Sequence, residues 1–518
     1  MDALASPNRN TRVLLELRAA LDKHAGIPQQ TRLLFRGLSL SPELTVEGLL
    51  QSSTHALGRA LPPDRRRWLR PLPRHRQIDR LSRVVIRLET KFLRSILSPV
   101  LALGRRLVGG WEPLTRFEAT NFRDFIWRRL FAKTLPATDF GLVTRAGFRV
   151  AGTPWTAMHI CGLITRTLGK SLFPRIRTSE FDVMIAETPY PATVGNRTRL
   201  VVRYHDAIPL LLPHTISDRR HHQSFHYQAL RCNVESGAWF VCVSESTRRD
   251  LLSIFPQVES RSVTIHNIVS HDYYDEASSA DQVWPVVRSR ANPRIQRLLG
   301  RGRGRPAVFA GDQQTGTPNY LLIVSTIEPR KNHLTLLSAW EVLRTNVSPD
   351  LKLVIVGSLG WHHSAIVQKL LPHVESGQLA VLEDVPSREL RVLYRHARAT
   401  ICPSFAEGFD LSGIESMMSG GVVVASDIPV HREIYMNGAC YFDPYSSEDL
   451  VHVLSPFLAP NKGEMHASLV VQGAAVAKRY TSDVILPKWL EFLTMVASVP
   501  DSADRVRTPA TVAGGGAS

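Results

Sequence analysis

The chain has 518 residues, of which 44% are hydrophobic and 21% charged, and a formal net charge of +17. A chain of this length and composition is expected to form two or three domains with substantial cores, and no run approaches the roughly 18 apolar residues of a spanning helix. The five cysteines, Cys161, Cys232, Cys242, Cys402 and Cys440, are odd in number, scattered and free of any CxxC pair, which argues against a disulfide framework or zinc site and for a reducing, cytoplasmic setting.

The first ten residues lack the apolar core of a signal peptide. Residues 13–17 are a short apolar run, and Gly26-Ile27-Pro28 punctuates the chain before another apolar segment. The stretch 61–130 is unusually basic. Within it Ile78, Leu81, Val85, Leu88 and Phe92 follow three-and-four spacing, while Arg80, Arg83, Arg87, Lys91 and Arg94 fall on the other face. Such a helix suits a membrane surface. It equally suits a surface helix whose stripe packs on its own domain. Nucleic acid is a weaker option, because aromatic interleaving and any known module are missing.

Three apolar runs follow at 181–185, 200–204 and 239–243, with 222–236 as a crossover helix and 262–266 as a further strand. Residues 277–318 have linker composition. From 320 onward the pattern is regular: apolar runs at 320–325, 351–356, 379–382, 400–403, 422–425 and 439–442 alternate with helical segments. Short continuous apolar strands alternating with helices predict a parallel, doubly wound sheet. Ligands bind beyond the carboxyl ends of such strands.

Four motifs lie at strand ends. Tyr204-His205-Asp206-Ala207-Ile208-Pro209 places His205 where it can orient a sugar or relay a proton. Ser325-Thr326-Ile327-Glu328-Pro329-Arg330-Lys331-Asn332-His333 sets Arg330 and Lys331 at the start of a helix, with Asn332 expected as its N-cap. Two cations and a positive helix end fit a phosphate. The segment from Ser404 to Glu415 carries Glu407 on a glycine-bearing turn and Glu415 one turn into a helix. Ser426-Asp427-Ile428-Pro429-Val430-His431-Arg432-Glu433 is the fourth. Phosphate-binding groups flanked by carboxylates that accept polyol hydroxyls describe a sugar-nucleotide site.

These residues together resemble the GT-B glycosyltransferases, specifically the retaining glycosyltransferase family 4 with its EX7E signature. The resemblance is strong over 320–458, moderate over 181–268, weak over 12–38 and essentially absent over 58–177. It implies an α/β fold of two Rossmann-like, doubly wound parallel-sheet domains facing across a cleft. The expected organisation is an N-terminal acceptor-side domain at 1–285 with a basic helical insertion at 58–177, a linker at 286–318, a donor-nucleotide domain at 319–480, a helix at 481–499 returning to the first domain, and a disordered tail at 500–518.

By the same resemblance, Glu407 approaches the donor sugar and Glu415 the ribose. Lys331, joined by Arg330, grips the diphosphate, and His205 lies near the donor sugar. Gly408 and Phe409 bring backbone amides to sugar hydroxyls, with Asp410 and Leu411 continuing that loop. Thr326 stands where many members have a phosphate-binding arginine, Val385 lies on the base-discriminating loop, and Gly26 corresponds to the glycine turn near the diphosphate. Asp410 replaces a frequent glycine, which calls for a different backbone geometry.

The family is metal-independent, and no Asp-x-Asp motif occurs near the site. The implied partners are a nucleotide-sugar donor, with GDP-mannose favoured over UDP-sugars, and a glycan or lipid-linked acceptor of surface-polysaccharide assembly. The expected location is the cytoplasm, with the basic helix as a candidate for holding the protein at an anionic inner membrane face. The alternatives are a sugar-nucleotide epimerase of the same fold and a non-enzymatic polyanion-binding protein.

Overall fold

The apolar runs become buried strands in two separate sheets of the computed structural model, which describes residues 10–21, 26–57, 73–89, 97–166, 169–216, 219–291, 318–459 and 463–499. The first sheet contains β1 (Thr11–Glu16), β2 (Leu44–Leu50), β3 (Leu114–Phe117), β4 (Gly147–Ala151), β5 (Val183–Ala186), β6 (Arg199–Tyr204), β7 (Trp239–Cys242) and β8 (Ser262–Thr264). Their spatial order is β3-β4-β2-β1-β5-β6-β7-β8, with only the β3–β4 edge pair antiparallel. The second sheet contains β9 (Tyr320–Val324), β10 (Lys352–Val356), β11 (Leu379–Leu382), β12 (Ala399–Cys402), β13 (Val423–Ser426) and β14 (Ala439–Phe442). Its order is β11-β10-β9-β12-β13-β14, parallel throughout.

Chain direction across the second sheet reverses between β9 and β12, and across the first between β1 and β5. These are the topological switch points where crevices form in doubly wound sheets. The segments holding Lys331 and Glu407 follow β9 and β12, so the topology alone places them side by side.

The helices used below are α1 (Gly26–Ser39), α2 (Arg74–Glu89), α3 (Ser98–Leu107), α4 (Trp155–Arg166), α5 (Glu245–Ile254), α6 (Val283–Arg290), α7 (His333–Asn346), α8 (Leu411–Met418), α9 (Pro429–Tyr435) and α10 (Ser482–Ser498). The terminal helix α10 leaves the second domain and buries Ile485, Trp489, Phe492, Leu493 and Val496 in the core of the first. Its Leu486 lies against Gly37 of α1, where an added Cβ would approach Leu486 Cδ2 to 2.4 Å.

Three features depart from the sequence reading. The segment 58–177 is more than a helical insertion, since it supplies the sheet edge β3 and β4 as well as α4. Strands β2 and β4 escape an apolar-run reading because Glu47 and Arg149 sit inside them. The two neutralise each other, with Arg149 Nε 2.7 Å from Glu47 Oε2. The stripe on α2 faces its own domain, with Leu81, Val84 and Leu88 in the same core cluster as Phe117 and Phe125. Lys91, Phe92 and Arg94 lie outside the described residues.

The domain boundary also shifts. Helix α6 spans the expected 285/286 junction, yet Val283, Trp284 and Val287 pack with Tyr320, Leu390 and Tyr394 of the second domain. Arg290 donates to both Glu389 oxygens, at 2.6 and 2.7 Å. This bidentate pair and the apolar face tie the helix to the donor-side domain. Residues 292–317 of the expected linker and the tail 500–518 lie outside the described residues.

Trp489 is fully buried and its ring stacks under the Arg203 guanidinium, 5.8 Å away. Trp489→Ala leaves a large cavity and is expected to cost about 3–5 kcal/mol. A lowered melting temperature in differential scanning calorimetry checks this; an unchanged one contradicts the bracing role of α10.

Candidate functional site

After β9 the chain makes one tight turn, Pro329–Lys331, before α7 begins at His333. Asn332 joins the two at φ 55° and ψ 39°, a left-handed conformation that Asn tolerates better than most residues. It does not cap α7 with its side chain as expected. Its amide donates instead to the carbonyls of Pro403 at 3.0 Å and Pro444 at 2.8 Å. That choice clips the β9 loop to the β12 loop. Phe405 N donates to Arg330 O at 2.9 Å and adds a second clip.

The two loops converge on the Glu407 carboxylate. Arg330 donates from Nη1 to Glu407 Oε2 at 2.7 Å, and its Nε lies 2.9 Å from Glu328 Oε1. Lys331 Nζ donates to Glu407 Oε1, and the Ser404 hydroxyl donates to the same oxygen at 2.7 Å. Burial opposes ionisation of Glu407, but Arg330 and Lys331 outweigh it and hold the carboxyl below its usual range. Burial likewise works against the Arg330 charge, and Glu407, Glu328 and Asp206 more than offset it. The sequence reading sent both cations to a diphosphate. In the structure both hold Glu407.

Gly408 touches the opposite domain. A Cβ added there would lie 1.8 Å from the His205 carbonyl oxygen, so only glycine fits. The Gly408 carbonyl accepts from Ser244 Oγ at 2.7 Å and Thr247 Oγ1 at 3.2 Å. His205 itself comes off the end of β6, with Nε2 3.2 Å from Glu187 Oε2. The side chain of Phe409 is buried between the His266 and Tyr480 rings, with centroids 6.0 and 5.3 Å away. Only its backbone is therefore placed to meet a ligand.

Asp410 has φ 61° and ψ 93° and precedes α8, which starts at Leu411. The unusual angle foreseen for this non-glycine position is present. Its carboxylate accepts from Ser412 N at 3.2 Å and Ser412 Oγ at 2.6 Å, and lies 3.3 Å from His431 Nε2. Burial raises its pKa, but His431, Lys331 and Ser412 pull it far below the ordinary carboxylate range.

Glu415 sits one turn into α8 and is shifted the other way. Burial pushes its carboxyl up to about 7, against hydrogen bonds from Gln29, Tyr394 and Tyr273 that lower it. Gln29 Nε2 donates to Oε1 at 3.0 Å and Tyr394 to Oε2 at 3.2 Å. Gln29 belongs to α1 of the other domain, three residues after Gly26. Gly26 opens that helix with free space around its Cα. Thr326 lies in the β9 loop, and Val385 packs partly buried beside the second-domain core.

Lys331, Arg330, Glu407 and Asp410 thus form one electrostatic cluster, with Glu415 in range of Asp410. Gly408, next to Glu407, meets His205 across the interdomain seam. Sequence reasoning missed Gln29, Tyr273 and Tyr394 around Glu415, and Glu187 behind His205. It also missed that the 426–433 motif reaches the first domain. Glu433 of α9 accepts from Glu245 N at 2.7 Å and Ser246 N at 2.9 Å, capping the N-terminus of α5 from the opposite domain.

Residues 306–473 match the family model described as "Glycosyl transferases group 1". The chain is 25% identical over 285 residues to the O-antigen chain mannosyltransferase B of Escherichia coli, spanning 55% of this chain and 67% of that one. It is 27% identical over 305 residues to the serotype-specific mannosyltransferase WbdA of Escherichia coli, spanning 59% of this chain but only 34% of that longer protein. Among solved structures it resembles a sucrose-phosphate synthase from Thermosynechococcus elongatus, with TM-score 0.53, 12% identity and coverage of 94% and 99%. It also resembles Anabaena Alr3699/HepE in complex with UDP, with TM-score 0.52, 13% identity and coverage of 94% and 100%. The chain therefore has the GT-B glycosyltransferase fold, with its match to the group 1 glycosyl transferases lying in the C-terminal domain.

Proposed function

We propose that this protein transfers a sugar, with mannose favoured, from a nucleotide-diphosphate donor to a glycan or lipid-linked acceptor in surface-polysaccharide assembly. The observation that carries the reading is the Glu407 carboxylate clamped by Arg330 and Lys331 at the β9/β12 switch point. The mannosyltransferase relatives support the choice of sugar, and GDP-mannose is the donor put forward. The acceptor binds across the cleft on the first domain, at the cytoplasmic face of an anionic membrane.

In this mechanism the donor diphosphate competes with Glu407 for Arg330 and Lys331. As the cations turn to the phosphates, the carboxylate is released toward the sugar, where it stabilises developing positive charge. Arg330 and Lys331 then neutralise the departing nucleotide diphosphate, a task that a metal ion performs in other transferases. The acceptor hydroxyl attacks on the leaving-group face and hands its proton to the phosphate, so the anomeric configuration is retained. Glu407 acts as an electrostatic group, not as a nucleophile. His205, held by Glu187, orients the sugar.

Glu415 accepts the ribose hydroxyls, and this assignment makes donor binding sensitive to pH. Its folded pKa of about 7 lies above the ordinary 4.5. Between those values the folded state holds a proton that the unfolded state lacks, so the contribution of Glu415 to stability falls as pH rises through that window. A carboxylate that accepts two hydroxyls must first lose this proton. Donor affinity is therefore expected to fall by up to about tenfold per pH unit below 7, while Glu415→Gln binds more weakly but without that slope. Calorimetric titrations of GDP from pH 8 to pH 5.5 check this, and a slope unchanged in Glu415→Gln rejects it.

The two glutamates separate kinetically. Glu415→Ala is expected to raise the donor KM by roughly tenfold or more, one lost charge-assisted hydrogen-bond set. Glu407→Ala mainly lowers kcat, by on the order of a hundredfold or more, as loss of a charge-stabilising group does. Equal constants in mutant and parent reject the assignment. A thermal-shift screen of GDP-, UDP- and dTDP-sugars identifies the donor, because a ligand that binds only the folded state raises its melting temperature. GDP-mannose is expected to give the largest shift. No shift with any sugar nucleotide would sink the transferase reading.

A further inference from the structure

Helix α3, with the sequence SPVLALGRRL, is amphipathic in reverse. It turns its small residues Ser98, Pro99 and Ala102 inward and packs beside α4. Large aliphatic residues on the helix and at its two caps point outward: Leu97, Val100, Leu101, Leu107 and Val108 are 62, 64, 66, 67 and 82% exposed, whereas Leu103 is half-buried. Spacing of three and four places them on one continuous stripe, and Gly104 in the same row has open space around it. A surface helix of a soluble domain ordinarily presents such a stripe to the core. A contiguous outward-facing one marks an interaction surface.

The charges around the stripe narrow the occupant. Helix α3 contains Arg105 and Arg106 and no acid. Arg105 pairs with the buried Glu112, yet its side chain stays 45% exposed. The neighbouring α4 exposes Ile164 and Arg166. A second copy docking through this face by two-fold symmetry would bring the same arginines together with no carboxylate on the helix to answer them. An anionic bilayer answers both features, with acyl chains for the stripe and lipid phosphates for the guanidinium groups at its border.

We propose that α3 is the membrane-docking face of this protein, lying in the interfacial plane of an anionic bilayer with Val100, Leu101 and Leu107 immersed. Helix α2 is the more basic element, but its apolar stripe is already spent inside the domain. The purpose of docking rests on the lipid-linked acceptor proposed above; the docking surface itself does not.

The test co-sediments the full chain with vesicles of phosphatidylcholine, with and without phosphatidylglycerol. The parent is expected to bind the anionic vesicles preferentially. The variant Val100→Ser/Leu101→Ser/Leu107→Ser is expected to lose roughly tenfold or more of that partitioning while keeping the parental melting temperature and nucleotide affinity. These three positions are exposed, so folding is not at stake; a second variant, Val108→Asp alone, is expected to weaken binding in the same direction. Equal partitioning of parent and serine variant overturns the proposal, as does a parent indifferent to vesicles. It is overturned too by a parental dimer in size-exclusion chromatography that the serine variant makes monomeric with vesicle binding intact, which assigns the stripe to a second copy. Vesicle binding that persists without any sugar-nucleotide affinity would sink the transferase reading and leave this one standing.

Discussion

A buried carboxylate between two cations governs this structure. Glu407 has a side chain only 6% exposed, and an isolated charge there would be strongly disfavoured. It is tolerable because Arg330, Lys331 and Ser404 converge on its two oxygens. Conversely, the two cations are tolerable at the start of α7, where positive charge ordinarily opposes the helix dipole, because the carboxylate sits opposite. Each loop is thus incomplete without the other, and the amide of Asn332 and the Phe405–Arg330 backbone bond fix their spacing. The arrangement is strained in one residue, Asn332, and again in Asp410, both at positive φ. Local strain at a ligand-facing loop is held in place by the surrounding bonds.

The same loop also seals the two domains together. Gly408 meets the His205 carbonyl with no room for a side chain, its own carbonyl takes two hydroxyl hydrogen bonds from residues around α5, and Phe409 wedges between His266 and Tyr480. A few residues away in space, Glu433 both caps α5 and lies 2.9 Å from His266 Nε2. The donor loop is therefore part of the interdomain contact. A change in the angle between the domains would move His205 and Ser244 relative to Gly408 and its neighbour Glu407, and any ligand that draws Arg330 and Lys331 away from Glu407 would act on the loop that carries the seam.

Much of this was legible in the sequence, and the reasons differ by element. The second sheet is covered on both faces, so its strands are unbroken apolar runs and stand out. Strands β2 and β4 do not, because Glu47 and Arg149 interrupt them, and the partners that satisfy these charges, each other across the sheet with Arg12 and Glu180 beside them, are distant in sequence. At the site, Glu407, Glu415, Arg330 and Lys331 were visible because each motif is local. The partners of Glu415 were not. Gln29 lies 386 positions away, and nothing in its surroundings distinguishes it from any other glutamine on a helix. Helix α3 illustrates a further limit: the sequence reading singled out the stripe at 78–92 and passed over residues 97–108, and only the packing of Ser98, Pro99 and Ala102 shows that the aliphatic face of α3 points outward.

The contrast between the two signature glutamates follows from their surroundings rather than from their spacing. Glu407 faces two cations and remains ionised; Glu415 faces an amide and two phenols and is lifted toward neutrality. One fold thus holds two carboxyl groups with oppositely shifted ionisation within a single loop-helix element, and Asp410 between them repels both and raises both, so the difference comes from the two cations on Glu407 and the burial of Glu415. Because Gln29 reaches Glu415 from the other domain, this glutamate is also a joint between the domains. A ligand that claims its oxygens must displace that amide, so binding at the donor side is coupled to where α1 sits.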